Sequence, residues 1–338
     1  MRTRIAGRTP LTSVYGVDSV APLVHPVRRL EDMNETPRSR RTGSLFIACF
    51  AFSLSLGVAG SGQAQTSATG PAATSAADAP DSAAAPGSIA EARARVAKNP
   101  KDAVAQLTLA TAYRRARRFD EAIAAARKAM ALDPKSSSPQ VSLGAIYMDQ
   151  GKTDDAARAF KKAIQINPTD AAAHYNMGNY YILLGRRDDA TSEFQRATQL
   201  KPPMPDAWNR LGLLLSEQGK ADDAVQAYQK ALSIDSTSVR ALCNLGNSEY
   251  AGGRVQEATT LYRKALKYDP QDQEVIYNLG VVFADSRIYK EAIHQWRRVV
   301  DIDSTSTVAE SARSSIQVLQ EFLDQQRGLK PAQAPSGQ

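Results

Sequence analysis

Between residues 103 and 306 apolar and polar positions alternate with a helical period, about three apolar residues in every seven, in segments of 12 to 14 residues. The segments come in pairs. A short break, carrying glycine in four of the six pairs, separates the members of a pair, and a break carrying proline or serine separates the pairs. The pattern predicts helices throughout and no strand, because no stretch alternates with the period of two that a half-buried strand needs.

The breaks recur at a fixed interval. Pro100, Pro134, Pro168, Pro202 and Pro270 share one phase of a 34-residue step, and Ser236 and Ser304 hold the same phase. Numbered from three residues after that mark, units begin at Ala103, Ser137, Ala171, Pro205, Val239 and Gln273. Position 7 is then Leu109, Leu143, Met177, Leu211, Leu245 and Leu279. Position 8 is Ala110 followed by Gly144, Gly178, Gly212, Gly246 and Gly280. Position 20 is alanine in all six units, from Ala122 to Ala292, and position 24 is Ala126, Phe160, Phe194, Tyr228, Tyr262 and Trp296. Small residues at 8, 20 and 27 let two helices approach closely, while the large residues at 7, 11 and 24 fill the space left. Gly151, Gly185, Gly219 and Gly253 at position 15 suit a left-handed cap at the end of the first helix. Paired acids such as Asp154/Asp155, Asp188/Asp189 and Asp222/Asp223 suit the N-terminus of the second, where the helix dipole favours negative charge.

These positions resemble the tetratricopeptide repeat, a helix pair of 34 residues with small and aromatic residues at the same places. The resemblance covers residues 103–306. It implies an all-α fold, a right-handed α-solenoid of six helix-turn-helix units, and a binding rather than catalytic role. Residues 88–102 are expected to form an N-terminal helix. Residues 307–326 form an amphipathic helix, with Val308, Ile316, Leu319 and Leu323 apolar, which resembles the capping helix of this family; residues 327–338 read as a loose tail.

A helical wheel for the first helix puts positions 4, 7, 8 and 11 on one side and positions 2, 6, 9 and 13 on the other. The second set is expected to line a groove. It holds Asn176, Arg210, Asn244 and Asn278 at position 6, Asn179 and Asn247 at position 9, and Arg240 at position 2, flanked by Tyr175 and Tyr277 at position 5. An amide both donates and accepts, which fits an extended peptide or a partner helix; the same residues also serve as plain solvent-facing polarity or as contacts between repeats. Basic pairs recur at positions 25 and 26, among them Arg127/Lys128, Lys161/Lys162, Arg263/Lys264 and Arg297/Arg298, and read as a solvated convex face or as a contact for anionic lipid.

The N-terminus changes the picture. Residues 44–60, SLFIACFAFSLSLGVAG, are apolar and uncharged, RSRR precedes them, and GQA follows at 62–64. This is the layout of a secretory signal peptide over residues 1–64, cleaved after Ala64, with Met33 as an alternative start. Retention of residues 44–60 as a membrane anchor is the competing reading. Residues 65–87 are Ala, Ser, Thr, Pro and Gly apart from Gln65, Asp78 and Asp81, with no large apolar side chain, and are expected to be a disordered linker. The expected location is periplasmic or secreted, with anchoring by residues 44–60 as the alternative.

Charge and chemistry add little. The formal net charge is +7, but residues 1–64 carry eight arginines against four acids, and the chain after residue 90 holds 34 basic against 29 acidic residues. That body is only mildly basic, and no nucleic-acid partner is expected. The two cysteines, Cys49 and Cys243, make no disulfide framework. His174 falls on the packing face and His294 on a second helix, neither beside a cysteine or acid at metal-ligand spacing. No phosphate loop, dinucleotide glycine pattern or nucleophile elbow is present. The expectation is a protein or peptide partner, with no cofactor, no metal and no enzymatic activity; the sequence sets no oligomeric state.

Overall fold

The computed structural model describes residues 88–200 and 203–328. The expected signal peptide, the linker and most of the tail lie outside the described residues. Within them the chain is an all-α helical-repeat solenoid of fourteen helices with no strand. After α1 (Ile89–Lys98) the first helices of the six repeats are α2 (Ala103–Arg115), α4 (Ser138–Asp149), α6 (Ala171–Leu183), α8 (Pro205–Glu217), α10 (Val239–Ala251) and α12 (Gln273–Asp285). The second helices are α3 (Phe119–Leu132), α5 (Thr153–Ile166), α7 (Arg187–Gln199), α9 (Ala221–Ile234), α11 (Val255–Tyr268) and α13 (Tyr289–Ile302), and α14 (Thr307–Gly328) follows. Among the described residues no helix is long and apolar enough to cross a membrane.

The helices fall into two compact units. One holds α1–α5, ending at Pro168; the other holds α6–α14, starting at Thr169. In the first, Ile89 and Ala92 of α1 join Leu109, Tyr113, Leu143 and Ile146 in one core. In the second, successive cores form around Phe194 and Tyr228, around Leu242 and Tyr262, and around Trp296 with Leu319 and Phe322 of α14.

Each helix pair is locked by one close approach. A Cβ placed on Gly246 would lie 2.6 Å from the Tyr262 ring, and one on Gly178 would lie 2.7 Å from the Phe194 ring. Position 8 must therefore lack a side chain wherever position 24 is aromatic. The first repeat shows the complement, since Ala126 leaves room and Ala110 fills it. The turn between the paired helices is left-handed. Gly151, Gly185, Gly219 and Gly253 have φ between +69° and +79°, and Lys152 N–H reaches back to the Tyr147 carbonyl at 2.9 Å to close the first helix. Repeats 1 and 6 put Arg117 (φ +58°) and Arg287 (φ +63°) at this position. Four of the six first helices start on side-chain caps: Asp102 accepts from Val104 N–H, Asp170 from Ala172 and Ala173, Ser238 from Ala241, and Asp272 from Val275, while α4 and α8 start with a proline in the first turn.

Candidate functional site

The surface expected to bind a partner is built by the first helices of the second unit. Here the expectation of an open groove needs correction. Asn244 and Asn278 are 0% exposed, Tyr277 3%, Asn247 4% and Arg210 7%. Only Tyr175, Asn176, Asn179 and Arg240 keep partial exposure. The physical reason lies in the stacking. A wheel treats each helix alone, whereas α8, α10 and α12 meet side by side, so position 6 of one repeat is pressed against positions 5 and 9 of the repeat before it.

The buried amides are spent on that contact. Asn244 Nδ2 donates to Asn209 Oδ1 at 3.0 Å, joining α10 to α8. Asn278 Nδ2 donates to Asn247 Oδ1 at 3.0 Å, joining α12 to α10, and lies 3.6 Å from Cys243 Sγ. The Tyr262 hydroxyl donates to the same Asn247 oxygen at 2.7 Å, which ties the second helix into the ladder. Asn244 Oδ1 and Asn247 Nδ2 have no partner among the described residues. Asn209 and the Tyr262 hydroxyl were not legible as parts of this network from any one repeat; the co-occurrence of Asn at 9 with Tyr at 24 in the fifth repeat was the available signal.

That co-occurrence fails in two other repeats, in opposite senses. The fourth repeat has Tyr228 at 24 but Leu213 at 9, and the Tyr228 hydroxyl is buried without a partner among the described residues. The third has Asn179 at 9 but Phe194 at 24, so no phenol claims Asn179, and its amide, half-exposed, makes no hydrogen bond among the described residues. Burial pushes the phenols of Tyr228 and Tyr262 well above the ordinary tyrosine value, and the neighbouring carboxylates and the Cys243 thiol add smaller pushes the same way.

The remaining expected residues divide between core and surface. Asn176 Nδ2 donates to the Ala172 carbonyl of its own helix at 2.7 Å. The Tyr175 ring packs 5.7 Å from that of Phe194. Arg240 lies 3.7 Å from Asp206, joining position 2 of two successive repeats. Tyr277 is a structural residue: its hydroxyl sits 3.1 Å from Ser315 Oγ of α14, and its carbonyl accepts from Trp296 Nε1 at 3.1 Å. His174 is buried on the packing face with Nδ1 2.7 Å from Glu193 Oε2. Cys243 is buried, and burial raises its thiol far above the ordinary range. His294 and most of the basic pairs, including Lys161, Lys162, Arg263 and Arg297, are exposed. Among the described residues no cluster of His, Cys, Asp and Glu could hold a metal ion.

Six helix pairs of 34 residues, five of them locked by glycine against an aromatic ring and the first by alanine against alanine, define a protein of the tetratricopeptide-repeat class. Residues 62–314 match the family model of the cilia and flagella-associated protein 70 C-terminal domain, a tetratricopeptide-repeat model, and the chain belongs to that family. No curated protein matches the chain. Among solved structures it is similar to the Cut9–Hcn1 hetero-tetramer of APC/C, with a TM-score of 0.59 and 18% identity over 69% of this chain and 46% of that one. The chain therefore spans about half the length of that relative. It is also similar to PilF of Pseudomonas aeruginosa (TM-score 0.56, 17% identity, 63% of this chain and 96% of that one). PilW, a type IV pilus biogenesis factor, gives a TM-score of 0.54 and 18% identity over 62% of this chain and 97% of that one. At these identities the likeness is one of fold.

Proposed function

We propose that the chain is a non-enzymatic protein–protein interaction scaffold that binds a peptide or helix of a partner protein through the exposed part of its first-helix face. The observation that carries this reading is Asn179. Its counterpart Asn247 is consumed by the Tyr262 hydroxyl and by Asn278, whereas the repeat of Asn179 carries Phe194, with no hydroxyl, at position 24, and the partly exposed Asn179 makes no hydrogen bond among the described residues. A half-exposed amide offers one donor pair and one acceptor to a peptide group. Tyr175 beside it supplies an aromatic edge, and Arg240 with Asp206 supplies an ion pair that a charged partner residue can join. The peptide-binding residues are therefore Tyr175, Asn179 and Arg240, with Asn176 at the margin, while the buried asparagines hold the repeats together.

The place of action is the cell envelope, in the periplasm or outside the cell, as part of an assembly or secretion process. That reading is supported by the basic, apolar and small-residue order of residues 38–64. A membrane-anchored assembly factor, held by residues 44–60, is the alternative that the same apolar run supports.

The test is paired capture. The tagged full chain and its Asn179→Ala and Asn244→Ala variants are used to recover partners from an extract of the native host, and each variant is melted alongside. Asn179→Ala should lose partners while keeping its melting temperature, and Asn244→Ala should melt lower. Full partner recovery by Asn179→Ala would refute the assignment.

A further inference from the structure

The turn of the first repeat carries charge that the scaffold reading does not use. Arg114 and Arg115 end α2, Arg117 holds the left-handed turn, Arg118 precedes α3, and Arg93 reaches over from α1. Two aromatic rings sit among them. The guanidinium carbons of Arg93 and Arg118 lie 5.6 and 5.0 Å from the centre of the Tyr113 ring, and Arg93 Nε donates to the Tyr113 hydroxyl at 3.0 Å. Arg117 lies 5.5 Å from the Phe119 ring.

Only part of this charge is neutralised. Arg118 Nε donates to Glu121 at 2.8 Å, and that hydrogen bond, helped by the charge of Arg118 and more weakly of Arg93, holds the Glu121 carboxyl below its ordinary value. Arg114 lies 3.5 Å from Asp149. Arg115 and Arg117 are exposed and make no ion pair among the described residues. Asp120, at the start of α3, is the one further acid in the turn. Arg117 also occupies a backbone conformation that four other repeats give to glycine. A side chain there costs stability that glycine avoids, at Arg117 as at Arg287 of the sixth repeat.

We propose that this arginine–aromatic turn is a docking surface for anionic membrane lipid, with Arg115 and Arg117 taking the phosphodiester groups. Three features favour a lipid surface over an acidic protein. The guanidinium fork matches two phosphate oxygens at once and sheds water more readily than an ammonium. The half-buried Phe119 ring gives Arg117 an apolar edge at the surface, while the buried Tyr113 ring holds Arg93 and Arg118 in place. The turn also follows closely in sequence on the apolar run, with 28 residues between Gly60 and Ile89. Docking is reversible if the run is removed and tethered if it is kept.

The experiment maps arginine modification on the full chain. The protein is mixed with vesicles of phosphatidylcholine, with or without phosphatidylglycerol, treated with phenylglyoxal, digested and weighed peptide by peptide. This readout does not depend on whether residues 44–60 insert. Anionic vesicles should protect Arg115 and Arg117, zwitterionic vesicles should not, and added salt should erase the protection. Arg117→Gly keeps the turn in the form of its sister repeats, so it should raise the melting temperature while weakening the salt-sensitive protection of Arg115 about fivefold. Arg115→Gln should weaken the protection of Arg117 to a similar extent. Equal labelling with both kinds of vesicle, or unchanged protection in both variants, would overturn the proposal. So would equal protection by inorganic phosphate or by polyglutamate, which would assign the turn to a soluble anion or to an acidic protein.

Discussion

The same substitution, Tyr to Phe, should have opposite signs at two equivalent positions. Tyr228 and Tyr262 both stand at position 24, both are 0% exposed, and both pack on a glycine of the paired helix. They differ in what the hydroxyl finds. Tyr262 donates to Asn247 at 2.7 Å, while the hydroxyl of Tyr228 has no partner among the described residues. Removing the Tyr262 hydroxyl deletes one neutral hydrogen bond but leaves the Asn247 oxygen with Asn278 as donor, so the cost is about 1 kcal/mol. Removing the Tyr228 hydroxyl deletes a buried polar group with an unrelieved desolvation penalty, and Tyr228→Phe should gain about 1 kcal/mol. In a unit of this size each kcal/mol is about 2–4 °C in melting temperature. Repeat arrays can unfold in parts, so hydrogen exchange in α8–α9 and α10–α11 should be read beside the melting curve. A double-mutant cycle sharpens the test: Leu213→Asn gives Tyr228 the acceptor that Asn247 gives Tyr262, and should be better tolerated with Tyr228 than with Phe by about 1 kcal/mol. The pH dependence has a definite sign. Both phenols titrate above the 10.0 of a free tyrosine, so the unfolded chain releases these protons first. Stability is full below pH 10 and falls as the pH rises past it. Each Phe variant should soften that alkaline loss. If Tyr228→Phe destabilises the protein as much as Tyr262→Phe does, the account of the orphaned hydroxyl is wrong.

Gly246→Ala would press a methyl group to 2.6 Å from the Tyr262 ring, and should cost about 1–3 kcal/mol by overpacking; chemical denaturation of this variant beside the double variant Gly246→Ala, Tyr262→Ala, which restores the Ala/Ala pairing of the first repeat, checks the cause. Glu249, buried at a position that holds Phe283 in the next repeat and bonded to Arg254, should be replaceable by Phe with no loss or a small gain, whereas Arg254→Ala should lower the melting temperature. The Cys243 thiol, buried and raised, should react with iodoacetamide only as fast as its repeat opens, so that peptide mapping at Cys243 shows rapid labelling in denaturant and near-complete protection without it.

Some features were legible in the sequence because a rule of spacing carries them. The 34-residue step placed every first helix to within one residue, Gly151 and its three counterparts marked the left-handed turns, and the glycine–aromatic pairing could be read from positions 8 and 24 alone. The asparagines were a different matter. Residues on one face of one helix share a wheel direction, but their exposure depends on how far the next repeat is rotated and how near it comes. No local pattern encodes that. Asn244, Asn247 and Asn278 are polar, periodic and absent from the apolar stripe, which are the marks of solvent exposure; yet they are buried because each amide has a counterpart one repeat away.

This burial gives the asparagines a role that apolar residues could not fill. A leucine at position 6 would pack against the neighbouring helix in several registers, since dispersion contacts have little directional preference. The Nδ2 donors of Asn244 and Asn278 find Asn209 and Asn247 in one register only, and any slip between α8, α10 and α12 would strand a buried donor at a cost of about 1–3 kcal/mol. In a solenoid each repeat touches only its neighbours, so a small error in one interface is carried into every repeat beyond it. The ladder fixes the rotation between successive first helices, and with it the spacing of the half-exposed residues that remain. Arg240 and Asp206, which meet across one such interface, hold their separation only as accurately as Asn244 and Asn209 hold α10 to α8. The same amide chemistry that was expected to contact a partner directly instead holds α8, α10 and α12 in register.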